Sequence, residues 1–195
     1  MFLANEARKK RDESWLGKLL AGEHEAFAEF VDKYKESVFL CCRTLGLKED
    51  EAEDVASETF LAAYKGLSRY KGRAQLGTWL WAIAYRQAVN YLRRNKRTWQ
   101  LLDESQGQTS HSKEQMPPAA AQNREQKRII WDAVGQLPRL WAVAVILYYR
   151  EGKMISEIAK IMRIRENTAK TYLFRARRKL KEILTPVFGE GFDVG

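Results

Sequence analysis

Histidine and cysteine are nearly absent from this chain of 195 residues, which has two of each. Cys41 and Cys42 are adjacent, so no CxxC ligand pair exists. With only His24 and His111 beside them, the donors for a structural zinc site are missing, and no metal is expected. A bridge between neighbouring cysteines is strained and rare, so both are expected as buried thiols in a reducing cytosol. Long apolar runs are also missing. The longest, 140-LWAVAVILYY-149, is too short to span a bilayer. The opening MFLANEARKKRDES lacks the apolar core of a signal peptide. A cytoplasmic protein without membrane insertion is expected. No strand-like alternation or internal repeat is visible. There is no glycine-rich phosphate loop, no HExxH and no GxSxG. These absences argue against an enzyme and against any cofactor.

What is present is positive charge. Lys and Arg number 34 against 25 acids, a formal net charge of +9. Such an excess favours an anionic partner: nucleic acid, a membrane surface or an acidic protein. It gathers around 65–75, 86–97 and 163–181, while 49–58 is acidic.

Apolar spacing marks the elements. Residues 1–13 read as a frayed start. Trp15, Leu16, Leu19 and Leu20 suggest a short helix ended by Gly22. Phe27, Phe30, Val31, Tyr34 and Val38 keep helical spacing up to Gly46. A third helix spans about Glu49 to Leu67, its inner face Ala52, Val55, Ala56, Thr59 and Ala63, widened by Phe60. A fourth is expected from about Thr78, as N-cap, to Asn95. The stretch from Asp103 to Asn123 has no periodicity and a Pro pair, and reads as a flexible linker. A helix from Glu125 to Gln136 is broken by Leu137-Pro138, another runs to Tyr149, and Glu151-Gly152 turns the chain. The last helix is expected to stop before Pro186, with GEGFDVG as a loose tail. The fold class is all-α: two small helical domains on a tether.

Three constellations carry chemistry. Ile155, Ile158, Ala159 and Met162 make one short helix, and Ala169, Leu173, Ala176 and Leu180 another, with Arg163-Ile164-Arg165 between them. This is the helix-turn-helix pattern. The second helix and its approach carry Arg163, Arg165, Lys170, Arg175, Arg177, Arg178, Lys179 and Lys181. Such a helix can lie in the major groove, and it can equally be a solvated amphipathic helix. Glu51, Asp54 and Glu58 share one helix side, with Glu49, Asp50 and Glu53 nearby. That face reads as a metal or acid–base site, a solvated face, or a docking surface. Finally, basic and aromatic residues interleave from Lys65 to Arg97, the composition of a surface that tracks phosphates and stacks bases. There Trp79, Leu80, Ile83 and Ala84 have core spacing. Trp81 and Tyr85, four apart, form an aromatic pair outside the core or at an interface, or belong to the core.

Together these residues resemble the extracytoplasmic-function (ECF) sigma factors of bacterial RNA polymerase. The resemblance runs from about Leu16 to Leu184. It rests on 22-GEHEAF-27, 51-EAEDVASETFLAAY-64, 76-LGTWLWAIAYRQAVNYLRR-94, 137-LP-138, 151-EG-152, 157-EIA-159 and 168-TAKTYLFRARRKL-180 in that order. It implies sigma region 2 over 14–97, a flexible linker over 98–124 and sigma region 4 over 125–184. It implies docking on the β′ coiled coil of core polymerase through Glu51, Glu53, Asp54, Ser57 and Glu58, with contact to the β subunit as well. It implies −10 promoter melting and capture by Arg69, Tyr70, Lys71, Arg73, Trp81, Tyr85, Arg86, Asn90, Arg93 and Arg94. It implies −35 reading by Arg163, Arg165, Glu166, Asn167, Thr168, Lys170, Thr171, Tyr172, Arg175 and Arg178. Promoter DNA and an anti-sigma factor are the further partners implied. The chain departs from the family at Arg163, where Gly is usual, and at Arg165, where Ser or Pro is usual. It departs again at Met154, Arg86 and Asn90. The alternatives are a DNA-binding regulator that acts without polymerase and, further off, a metal enzyme built on the acidic face.

Overall fold

The computed structural model describes residues 16–21, 23–72, 74–95 and 121–189. They form two compact units. Trp15, Gly22, Arg73, His111, most of the expected linker and nearly all of the tail lie outside the described residues.

The first unit holds α1 (His24–Thr44), α2 (Glu49–Gly66) and α3 (Leu76–Arg94), with a helical turn at 16–20 ahead of them. Apolar residues on α1 at helical spacing, Ala26, Phe30, Val38 and Cys41, are buried. Gly46 follows α1 with φ 91°, a conformation glycine adopts without steric cost. Phe30 meets Phe60 of α2 edge-on, ring centroids 6.2 Å apart. Phe27 meets Tyr64 in the same manner at 5.0 Å. Ala52, Val55, Thr59, Phe60 and Ala63 of α2 are buried as the spacing predicts. The buried Thr59 hydroxyl donates to the Val55 carbonyl (2.7 Å), so it leaves no orphan donor.

Helix α3 begins at Leu76, not at Thr78. Gln75 is the N-cap, without a side-chain bond, and accepts from the Trp79 N–H (3.0 Å). The earlier start places Leu76 in the core at 0% exposure and turns Thr78 inward as well. Gly77 sits against Tyr34 of α1: a Cβ there would lie 3.1 Å from the ring. Trp81, four residues on, donates its indole N–H to Ser37 Oγ of α1 (2.7 Å). Positions 77, 81, 85, 88 and 92 fall on one helix stripe, so the face that meets α1 includes Tyr85. Trp81 is 1% exposed and Tyr85 4%. The expectation that these two aromatics contact DNA is therefore corrected: they are buried.

The second unit holds α4 (Ala121–Gly135), α5 (Arg139–Val145), α6 (Ile155–Met162) and α7 (Glu166–Phe188). Helix α4 begins at Ala121, inside the stretch expected to be linker. Leu137-Pro138 does break the chain, and Pro138 becomes the N-cap of α5. After Val145 the helix widens into one π turn, Ile146–Arg150. Gly152 then turns the backbone at φ 62°. Ala142 to Leu147 are all buried beside Ile158, Ile161, Leu173, Ala176 and Leu180. Helix α7 does not stop before Pro186 but continues to Phe188. A proline this near the end forfeits one helix bond in a turn that already frays. Cys41 and Cys42 are buried and form no disulfide.

Candidate nucleic-acid and docking surfaces

Helix α7 is entered through a tight turn. Met154 starts α6 without a side-chain cap, and its N–H is taken by Glu157 Oε2 (3.0 Å). Arg163 ends α6 in the left-handed conformation, φ 55° and ψ 45°. For a residue with a Cβ this costs about 1–2 kcal/mol. Arg165 is the extended N-cap of α7 and makes no side-chain cap bond.

Asn167, Lys170, Thr171, Phe174 and Arg178 are exposed at i, i+3, i+4, i+7 and i+11, one continuous face. Glu166 is exposed at the first turn. The Thr171 hydroxyl donates to the Asn167 carbonyl (2.8 Å). Phe174, 67% exposed, stands in the middle of this polar face. Sequence reading passed over it, although its spacing from Asn167 and Lys170 was visible. Thr168 and Tyr172 are half-buried on the flank, off this face. Arg175 lies on that flank over the Trp141 ring (5.9 Å). Arg177, on the opposite flank, donates to Tyr149 Oη (2.8 Å). Arg178 pairs with Glu182 (3.6 Å), whose carboxyl is held below its ordinary range first by the Lys179 ammonium.

In the first unit the aromatics nearest the basic residues are Tyr70, which was expected there, and Trp79, which was not. Trp79 and Tyr70 are half-buried, their rings 5.1 Å apart and tilted. The Trp79 ring lies over Gly66, where a Cβ would come within 3.2 Å. The Tyr70 hydroxyl donates to the Ala74 carbonyl. Trp79, Arg86, Asn90 and Arg93 recur at i, i+7, i+11 and i+14, so one outward face of α3 begins with an indole and continues with charge. Arg69, Lys71 and Arg94 are exposed around it. The signal for Trp79 was therefore in the sequence.

The acidic face of α2 is also exposed. Asp54, Ser57 and Glu58 point outward, with Glu53 on the rim, and the face continues into Leu61 (54% exposed) and Tyr64 (48%). Glu51 is set apart: its Oε2 accepts the Lys48 N–H (2.7 Å) and closes the first turn of the helix. Among the described residues no three His, Cys, Asp or Glu side chains converge as a metal site would require. No described helix is long and apolar enough to cross a membrane.

Comparison with known proteins gives two family matches. Residues 30–98 match Sigma-70 region 2, and residues 127–180 match Sigma-70, region 4. The ECF RNA polymerase sigma factor SigW of Bacillus subtilis is 31% identical over 171 residues, which are 84% of this chain and 91% of that protein. The ECF RNA polymerase sigma-E factor of Haemophilus influenzae is 27% identical over 188 residues, 93% of this chain and 99% of that one. Among solved structures, CnrH, in complex with the cytosolic domain of CnrY, shares the fold at a TM-score of 0.60 and 19% identity. That likeness covers 90% of this chain and 98% of CnrH.

Proposed function

The chain belongs to the ECF family of bacterial RNA polymerase sigma factors, and from that premise we propose how its surfaces divide the work. As a sigma factor it directs promoter-specific transcription initiation. Our reading gives the first unit to core polymerase and the −10 element, and the second unit to the −35 element. The protein is a cytoplasmic initiation factor rather than an enzyme.

Asp54, Ser57 and Glu58, with Glu53 on the rim, dock on a basic polymerase surface, the β′ coiled coil. Their carboxylates are exposed, and no basic side chain neutralises them among the described residues. Glu51 supports that face by holding the helix start. Tyr70 and Trp79 offer ring faces to unstacked −10 bases, while Arg69, Lys71, Arg86, Arg93 and Arg94 follow the phosphates and Asn90 faces a base edge. Opening a duplex costs about 1.4 kcal/mol per base-pair step. Stacking on an aromatic side chain returns about 1–3 kcal/mol per base, so two rings can hold a short bubble without fuel. On α7, Asn167, Lys170, Thr171 and Arg178 reach base edges and phosphates, and Phe174 suits a thymine methyl. Glu166 accepts from cytosine at the same edge. Thr168, Tyr172 and Arg175 support the helix from its flank. An anti-sigma factor, as family membership implies, would cover these same exposed surfaces.

One observation carries this reading: an exposed polar and basic face on the second helix of a helix-turn-helix and an unneutralised acidic face occur on separate units of one chain. The test is a pull-down with bacterial core polymerase. One copy per core should bind, and Asp54→Arg should lose binding while its circular dichroism is unchanged. No binding by the wild-type chain, together with tight intrinsic DNA affinity, would instead make it a stand-alone regulator.

A further inference from the structure

The turn between α6 and α7 holds two arginines that the fold does not use. Arg163 is the one non-glycine residue with positive φ among the described residues. L side chains are disfavoured there because Cβ crowds the carbonyl oxygen. Arg165 occupies an N-cap and supplies no side-chain acceptor to α7. Between them, the Ile164 N–H donates to the Ala159 carbonyl (3.0 Å), and its side chain is half-buried. Ile164 pins the turn to its unit, while Arg163 and Arg165 on either side are exposed. Neither guanidinium joins an ion pair, hydrogen bond or ring contact among the described residues. Arg175, Arg177 and Arg178 of the same unit each have such a contact. Local structure therefore works against both residues and gives neither guanidinium a partner.

Their explanation lies outside the chain. We infer that Arg163 and Arg165 form a two-pronged clamp on backbone phosphates of the promoter duplex, beside the base edges that α7 reads. This rests on the proposed placement of α7 in the major groove. The clamp adds affinity without sequence information, because phosphate contacts position a protein and base contacts specify. Its signature is salt dependence. Each phosphate neutralised steepens the logarithmic salt slope by about 0.9.

The experiment measures binding of the full chain to promoter fragments on core polymerase, and to random duplex without polymerase, across a salt series. Arg163→Gly should raise the melting temperature by a few degrees and flatten the slope by about 1. Arg163→Gly with Arg165→Ser should flatten it by about 2. Arg163→Lys should keep the wild-type slope, because charge rather than the planar fork sets it. Unchanged slopes in the double variant, with stability gained, would overturn the clamp. Flattened slopes on random duplex, with no promoter-specific binding by any form, would keep the clamp and reject the sigma assignment of α7.

Discussion

At position 81 the indole N–H is spent on Ser37 inside the first unit. Trp81→Phe removes that donor and part of the ring, and should cost about 1–3 kcal/mol of stability. Promoter opening by the folded fraction should be unaffected. Trp79→Ala should do the reverse: a small loss of stability and about a tenfold loss of opening, set by one stacking contact. Urea unfolding, together with a fluorescent base analogue in the −10 strand, separates the two. Opening lost in Trp81→Phe at unchanged stability would show that the buried indole is not merely structural. The neighbouring helix α1 makes a pH prediction. Burial pushes the Cys42 thiol up to about 12, outweighing an opposing backbone hydrogen bond. Unfolded, the thiol ionises near about 8.5. Its folded pKa is the higher one, so its contribution is whole below about pH 8 and is lost as pH rises toward 12. Between pH 7.5 and pH 10 the wild-type protein should lose about 2 kcal/mol more than Cys42→Ala in urea unfolding.

Among the elements, α7 divides its work by angle. Lys170→Ala should weaken −35 binding and flatten the salt slope by about 1 if the ammonium meets phosphate. Phe174→Ala should leave the slope alone and relax preference at one thymine, by about 1–3 kcal/mol. Binding titrations against −35 duplexes with single substitutions check both. A Lys170→Ala variant with an unchanged slope and altered preference would make Lys170 a base reader. The helix-turn-helix was legible because four apolar residues on each helix recur at the helical period. Trp79 and Trp81 were harder. Periodicity says that residues two apart face differently, but not which face is inward. Gly77 holds part of that information, since a Cβ there would meet the Tyr34 ring of α1 at 3.1 Å. Pro186 misled because proline was treated as a stop, whereas in the last turn its missing N–H forfeits a single bond. Glu51 looked like one acid of an exposed face, and its capping bond to Lys48 emerges only once the helix start is fixed. Arg163 stands where Gly is usual, and its left-handed conformation accounts for that usage.

For the whole molecule, two units on one chain act by connection. Each alone should hold its DNA element weakly, and tethering turns the second contact into an intramolecular one. If the chain is cut within residues 98–120 and the halves are mixed with core polymerase, promoter-dependent transcription should fall by about 10²–10⁴-fold. Run-off transcription over a range of half-chain concentrations measures this. Full activity from nanomolar halves would mean that polymerase itself aligns them and that the tether is dispensable.

The π turn at Ile146–Arg150 has a consequence for how this fold can vary in length. Its Ile146 carbonyl accepts from Glu151, five residues on, at 3.0 Å. A π turn is an α-helix that has absorbed one surplus residue. Removing a single residue from this turn should restore an ordinary helix. The effect would be local, because the wide turn spends about five residues where an α turn spends about four, and what lies downstream would keep its phase. The surplus residue is a tolerated insertion, taken up within a single turn so that α6 and α7 keep their places.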